Sequence, residues 1–432
     1  MVEPVPSGRF DAVVPVPGSK YVANRLLFIA ALAGGRSVLK NLPDNEDIRT
    51  AMAGLAAFGI GIERLGLDAV AVTGCAGRFE KREVAVYTAG SGTFSRFLVP
   101  FAALSGNAVR ITANEKMSSR PMDSVFAAVE GLGATALSTG GRLPATITGP
   151  LRGGTVEVDG GVSSQYFSAL MLSALTQDGL EIKVKGALVS APFVGLTASL
   201  MEEAGLRVEF AHDGAGQIRA IRIPGGQAYR ARDWDIEPDP VSASYFMAAA
   251  ALTGGRAVLP NWNSRSPQGE AQFPEVLRSM GCGVRMAGGG LEITGPDKPL
   301  RAVTVDLGGQ PDVVQTLCAC AAFAEGPTRI TGIGHLKHKE SDRIGETARE
   351  WGKLGIRVEA GEDSLVVHGS PGASGFQGAA VDGCGDHRMA MSLALLGLRL
   401  PGVRVHGEAA VGKSFPDFFD RLERAGVVLR RG

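Results

Sequence analysis

The chain has 432 residues, with 44 basic and 44 acidic side chains and a formal net charge of zero. That length exceeds one ordinary hydrophobic core, so two domains are expected. The balanced charge excludes a bulk nucleic-acid binder or a polybasic membrane-surface protein, and a 45% hydrophobic, 20% charged composition excludes extensive disorder. The opening residues, MVEPVPSGRF, hold no basic stretch followed by an apolar one, so no signal peptide is expected. No apolar run approaches the ~18 residues of a membrane span. Five cysteines (Cys75, Cys282, Cys318, Cys320 and Cys384) form no CxxC pair, which fits a reducing compartment and a soluble cytoplasmic protein.

Along the chain, an apolar, Ala/Leu-rich helical run stops near glycine six times, at Gly35, Gly106, Gly179, Gly255, Gly326 and Gly402, and a β-rich run follows. FIAALAGGRSVLKNL and FMAAAALTGGRAVLPNW are examples. A second helix–glycine–strand series stops at Gly59, Gly133, Gly205, Gly281, Gly355 and Gly426. Both series advance by 71 to 76 residues, the mark of an internal repeat. Glycine just past a helix end supplies the left-handed residue that closes the last turn. Six units in two domains mean three per domain. The seam is expected at RARDWDIEPDP (230–240), and PVPGSK reads as a crossing segment. The expected domains are therefore residues 1–18 with 236–432, and residues 19–235.

The unusual residues fall 14 or 15 positions before each first-series glycine: PGSK with Lys20, GSGT with Gly92, SSQ with Ser164, PDPVSAS near Pro240, QPD with Asp312, and GDHR with His387. All are predicted helix starts, where unpaired N–H groups and the macrodipole favour anions. The loops before the second helices add Arg120, Lys337, Lys339, Arg343 and Lys413 to Lys20, Arg25 and Arg388. This is a cationic set suited to phosphate and carboxylate. Asp312 and Glu340 lie among these cations and are the candidates for proton transfer.

Taken in order, PGSKYVANR, GSGTFSR, RPM, SSQYFSAL, VSASYFMAAAAL, QPD, HKESDRI, GDHRMAMSLAL and GKSFPDFF resemble the motifs of the 5-enolpyruvylshikimate-3-phosphate synthase family, a target family of glyphosate. The resemblance covers nearly the whole chain. It implies an α/β (α+β) fold: a two-domain inside-out α/β barrel, each domain built from three βαβαββ units, with the active site in the interdomain cleft. It implies transfer of the enolpyruvyl group of phosphoenolpyruvate to the 5-hydroxyl of shikimate-3-phosphate, with release of phosphate, and no cofactor or metal. Position by position, Lys20, Gly92, Arg120, Gln165, Arg343, Arg388 and Lys413 match the phosphoenolpyruvate site. Asp312, Glu340 and Lys20 match the catalytic groups, with Glu340 as methylene acid and base and Asp312 acting on the hydroxyl. The acceptor side matches Lys20, Tyr21, Arg25, Ser163, Ser164, Gln165, Ser190, Asp312, His335 and Lys339. The family's partners would be these two small molecules, with no nucleic acid and no membrane, acting on a monomer.

The chain departs from the family at Tyr21 (usually serine), Gly90 (asparagine), Phe193 (tyrosine) and His335 (asparagine), and Phe97 replaces a proline after the GT-x-x-R arginine. Two other readings therefore stand. One is a paralogous transferase with another phosphorylated cyclitol or a nucleotide as acceptor. The other is a non-catalytic binder of anionic metabolites on the same scaffold. His335 and His338 are three apart but have no further ligand nearby in sequence, so no metal site is expected. His387 is expected in a structural hydrogen-bonding role, and Cys318 and Cys320 in the core.

Overall fold

The computed structural model describes residues 1–80 and 83–432. Six helix pairs follow one another along the chain: α1 (Lys20–Leu32) with α2 (Glu46–Ala56), α3 (Gly92–Ser105) with α4 (Asp123–Gly131), and α5 (Ser164–Leu172) with α6 (Pro192–Glu203). Then come α7 (Pro240–Thr253) with α8 (Phe273–Ser279), α9 (Val314–Ala321) with α10 (Arg343–Lys353), and α11 (His387–Leu396) with α12 (Phe418–Arg424). The first helix of each pair is apolar on every side, and such a helix is stable only inside. Every residue of α1, α9 and α11 is buried, and in α7 only Thr253 is not. By contrast α10 is two-faced: Arg343, Ile344, Thr347, Glu350 and Trp351 are buried at helical spacing.

Each pair serves one small sheet, giving six sheets among the described residues in a mixed α/β fold. In the second repeat Val84–Tyr87 runs parallel to Ala108–Thr112 across α3. Ala108–Thr112 then pairs antiparallel with Arg142–Thr148, and Thr135–Thr139 completes the sheet. A parallel pair needs a crossover of this length, whereas the hairpin needs only a tight turn.

Two sheets exchange strands. Asp11–Val13 precedes α1 in sequence but pairs with Arg256–Pro260, which follows α7. Trp234–Asp235 precedes α7 but pairs with Gly34–Lys40, which follows α1. Val2–Val5 lies between Arg404–His406 and Val428–Arg431, completing the sheet of the last repeat. The chain accordingly divides into two compact units, Met1–Pro17 with Glu237–Gly432 (the first unit) and Gly18–Ile236 (the second). At the crossing, Gly18 is required, because a Cβ there would collide with the Asn41 carbonyl oxygen.

The two glycine series behave differently. After α4, α6, α8, α10 and α12 the glycine is the left-handed residue of a Schellman ending; at Gly205, for example, the Gly205 N–H bonds Glu202 O and the Leu206 N–H bonds Met201 O. The apolar residue that follows, such as Leu206 or Ile356, is buried and locks the turn. The first series is not a set of helix caps, contrary to the sequence expectation. Only α3 ends on its series glycine, Gly106, and α7 ends one residue early, on Gly254. Gly35 and Gly326 already lie in strands, and Gly179 and Gly402 come six or more residues after the helix has ended. The apolar run continues past those helix ends into the core, so hydrophobicity alone did not mark the boundary.

Candidate functional site

In the second unit, side-chain caps organise the helix starts. Ser19, Ser91 and Ser163 accept from backbone N–H groups of α1, α3 and α5 respectively. Lys20, the first residue of α1, is buried, and its Nζ lies 3.1 Å from Asp47 Oδ2 on α2. One turn on, Arg25 is enclosed. Its guanidinium donates to Thr197 Oγ1 (2.7 Å), the Tyr21 carbonyl (2.9 Å), Ser168 Oγ (3.2 Å) and the Phe193 carbonyl (3.1 Å). The rings of Phe97 and Phe193 flank it, and Tyr21 packs on Phe193 at 4.9 Å. Two of the departures from the family pattern, Tyr21 and Phe193, are thus in contact with each other.

A second group gathers at the start of α3. Gln165 Oε1 accepts from Arg96 Nη1 at 2.6 Å, and Gln165 Nε2 donates to Thr93 Oγ1 at 3.0 Å. Arg96 lies over the Tyr166 ring. A Cβ on Gly92 would stand 2.6 Å from Arg120 Nη1 and 3.0 Å from Arg96 Nη1, so both guanidinium groups close on this glycine. Gly92, Arg120 and Gln165 were read from the sequence as one site, and they do converge. Asp47 and Arg96 lie outside the residues that the sequence marks. Arg96 carried a signal, four residues after Gly92 on one helix face; Asp47 carried none. Ser163 and Ser164 sit at the start of α5, beside Gln165. Ser190 is a buried residue with φ of 53° just before α6.

In the first unit, Arg343 joins three acids. Its Nη1 is 2.7 Å from Asp312 Oδ1, its Nη2 is 3.0 Å from Glu340 Oε2, and its Nε is 2.8 Å from Asp386 Oδ2. Burial opposes its charge, but Asp386, Glu340 and Asp312 outweigh burial and hold the guanidinium above its ordinary range. Lys413 Nζ completes the Glu340 carboxylate at 2.8 Å. Arg388 Nη2 lies 3.7 Å from Asp312 Oδ2, and Arg388 Nη1 donates to Tyr245 Oη at 3.3 Å. Asp386 also caps α11 by accepting from the Arg388 N–H, and Asp239 caps α7. Two of this unit's three buried-helix starts therefore carry a carboxylate cap, which offsets the positive helix end that the sequence argument relied on.

His335 is buried near Lys339, and burial followed by the Lys339 charge lowers its pKa to about 4. His335 and Lys339 lie in and just after the turn Gly334–His338, close enough to Asp312 to feel its charge. His338 is exposed. Both ring nitrogens of His387 are buried, with Nδ1 3.6 Å from Asp386 Oδ1. Among the described residues the one group with metal-ligand spacing is Glu346, Glu350 and Cys384, and Arg349 and Lys353 already pair with its carboxylates. None of the five cysteines, all among the described residues, is in a disulfide. No helix among the described residues is long and apolar enough to cross a membrane.

Carboxylates held between guanidinium and ammonium groups at buried helix starts are built to receive small polyanions and to move protons beside them. The family model of EPSP synthase (3-phosphoshikimate 1-carboxyvinyltransferase) matches residues 5–422. The chain is 37% identical over 426 residues to the 3-phosphoshikimate 1-carboxyvinyltransferase of Methanoculleus marisnigri, covering 98% of each chain. It is 39% identical over 412 residues to that of Deinococcus radiodurans, covering 95% of this chain and 92% of the other. The solved EPSP synthase of Acinetobacter baumannii superposes with a TM-score of 0.81 at 26% identity over 99% of both chains. The chain belongs to the EPSP synthase family.

Proposed function

We propose that the protein transfers the enolpyruvyl group of phosphoenolpyruvate to the 5-hydroxyl of shikimate-3-phosphate, releasing inorganic phosphate. The observation that carries this reading is the sharing of two acids among three cations: Asp312 between Arg343 and Arg388, and Glu340 between Arg343 and Lys413. Arg343, Arg388 and Lys413 would hold the phosphate and carboxylate of the donor, as would Arg120, Gln165, Lys20 and the backbone at Gly92. Glu340 would protonate the methylene carbon as the acceptor hydroxyl, deprotonated through Asp312, adds to C2. Glu340 would then take a proton back from the new methyl group as the C–O bond to phosphate breaks, with Lys20 at the leaving group. Fixed cations suit the developing phosphate charge better than water does, because they need no reorganisation. Arg25, Tyr21, Ser163, Ser164, Gln165, Ser190, His335 and Lys339 would hold the acceptor.

The arrangement of three sheets per unit over buried helices supports the inside-out α/β barrel for each unit. Cysteines outside any disulfide support work in a reducing compartment such as the cytoplasm. A second reading, the same donor chemistry on another phosphorylated cyclitol or a nucleotide, rests on the Tyr21–Phe193 contact beside Arg25. The deciding experiment is acceptor-dependent release of phosphate from phosphoenolpyruvate. Turnover with shikimate-3-phosphate supports the first reading, turnover only with another acceptor supports the second, and no turnover with any acceptor refutes both.

A further inference from the structure

Glu270 is a buried acid that the proposed reaction does not use. It sits in the short turn Gly269–Gln272 that leads into α8 and is wholly buried. Neither of its carboxyl oxygens has a hydrogen-bond partner among the described residues. The turn packs on α7 and on the turn Pro311–Val313, which carries Asp312. An ionised carboxylate in such a place lacks both water and donors, the most costly condition for a charge. The surrounding charges do not reverse that cost. Asp312 and the α7 cap Asp239 oppose a negative charge on Glu270, while its own backbone N–H and then Arg388 favour it, and burial with Asp312 prevails. Tyr245 on α7 shares Arg388 and is itself held neutral by burial. On its own turn, Gln268 is engaged with Glu237, and on α8 Glu275 pairs outward with Arg278. The cluster of Arg343, Arg388 and Lys413 with Asp312, Glu340 and Asp386 is already balanced, three charges against three.

We propose that Glu270 is a positioning residue for the donor: it is kept as the neutral acid behind Asp312, and its proton leaves Arg388 available to the anionic donor. If the proton is lost to solvent, the carboxylate becomes a second partner for Arg388 and competes with the donor for it. The group acts through Arg388 and needs no contact with substrate. This inference rests on the reading that Arg388 holds phosphoenolpyruvate.

Burial first, then Asp312, raises the Glu270 pKa to about 8, so the neutral acid persists through neutral pH and is lost above it. In the wild-type protein KM for phosphoenolpyruvate should rise about tenfold between about pH 7 and about pH 9, while kcat changes less than about threefold. Glu270→Gln mimics the neutral acid. It should keep KM within about threefold of wild type near pH 7 and stay flat to about pH 9. Glu270→Met, of similar volume, should also lose the alkaline rise. The same rise in wild type and both variants overturns the proposal, as does a Glu270→Gln protein whose KM is already raised at neutral pH. If neither variant folds, the wild-type profile decides, and a KM flat from about pH 7 to about pH 9 overturns it. If no acceptor supports turnover, the functional reading falls separately. Calorimetric binding of phosphoenolpyruvate alone then reads the same pH dependence, and absent or pH-independent binding overturns the Glu270 proposal.

Discussion

Replacing Arg343 by methionine tests the arrangement of the first unit most directly. The substitution keeps most of the side-chain volume and removes four charge-assisted hydrogen bonds to Asp312, Glu340 and Asp386. At about 1.5–3 kcal/mol for each bond to a charged group, the sum would approach ~6–12 kcal/mol. That overstates the loss, because the acids keep other partners. Lys413 still holds Glu340, Arg388 still faces Asp312, and Asp386 still accepts from Ser341 Oγ and the Arg388 N–H. Measured breaks of buried ion pairs give ~3–5 kcal/mol, and that is the expected loss here. Trp351 lies on the same helix and is fully buried, so its fluorescence in a background lacking Trp234 and Trp262 reports the transition. With a slope near 2–3 kcal/mol/M, the urea midpoint should fall by about 1–2 M. The loss should be largest above neutral pH and shrink as pH falls. An acid left buried without its cation holds its proton in the folded state more tightly than in the unfolded chain, which favours folding as pH drops. Arg343→Lys should lie between, since one ammonium cannot serve three carboxylates. A loss under about 1 kcal/mol that does not vary with pH would refute the three-acid arrangement.

Asp312→Asn and Glu340→Gln should each lower kcat by ~10²–10⁴, with the urea midpoint falling less than in Arg343→Met because Arg343 keeps its other two acids, checked by steady-state phosphate release and urea titration. Gly92→Ala should raise KM for phosphoenolpyruvate with little effect on stability, because its Cβ would meet Arg120 and Arg96 at 2.6 and 3.0 Å; initial-rate kinetics decide it. His335 should make the fold acid-labile. Its pKa falls from 6.5 to about 4 on folding, so the unfolded chain binds the proton first. Stability is lost as pH drops between those values, by up to ~3 kcal/mol. His335→Asn should remove that dependence in denaturation curves at about pH 7 and about pH 4.5.

Much of this protein was legible because the relevant physics is local. Helix endings with a left-handed glycine and a buried apolar residue after it recur at Gly133, Gly205, Gly281, Gly355 and Gly426, each specified by neighbours within one turn. Unbroken apolar runs such as MAMSLALLGL can only be interior helices, and α11 is one. Gly92 and Gln165 fall in one unit, and Asp312 and Arg343 in the other. Tertiary structure alone decided the pairing. Lys20 finds Asp47, and Arg343 finds Asp386, across 27 and 43 residues of chain. No periodicity names a partner at that distance. The crossing at PVPGSK showed in the sequence, but the strand partners of Asp11–Val13 and Trp234–Asp235 did not, since short strands choose partners by which edge is open. Glu270 stands in the polar stretch SPQGEAQF and is nevertheless wholly buried. Whether a carboxyl group meets water or the back of another acid depends on what packs over it, and that is settled only when distant segments close the core.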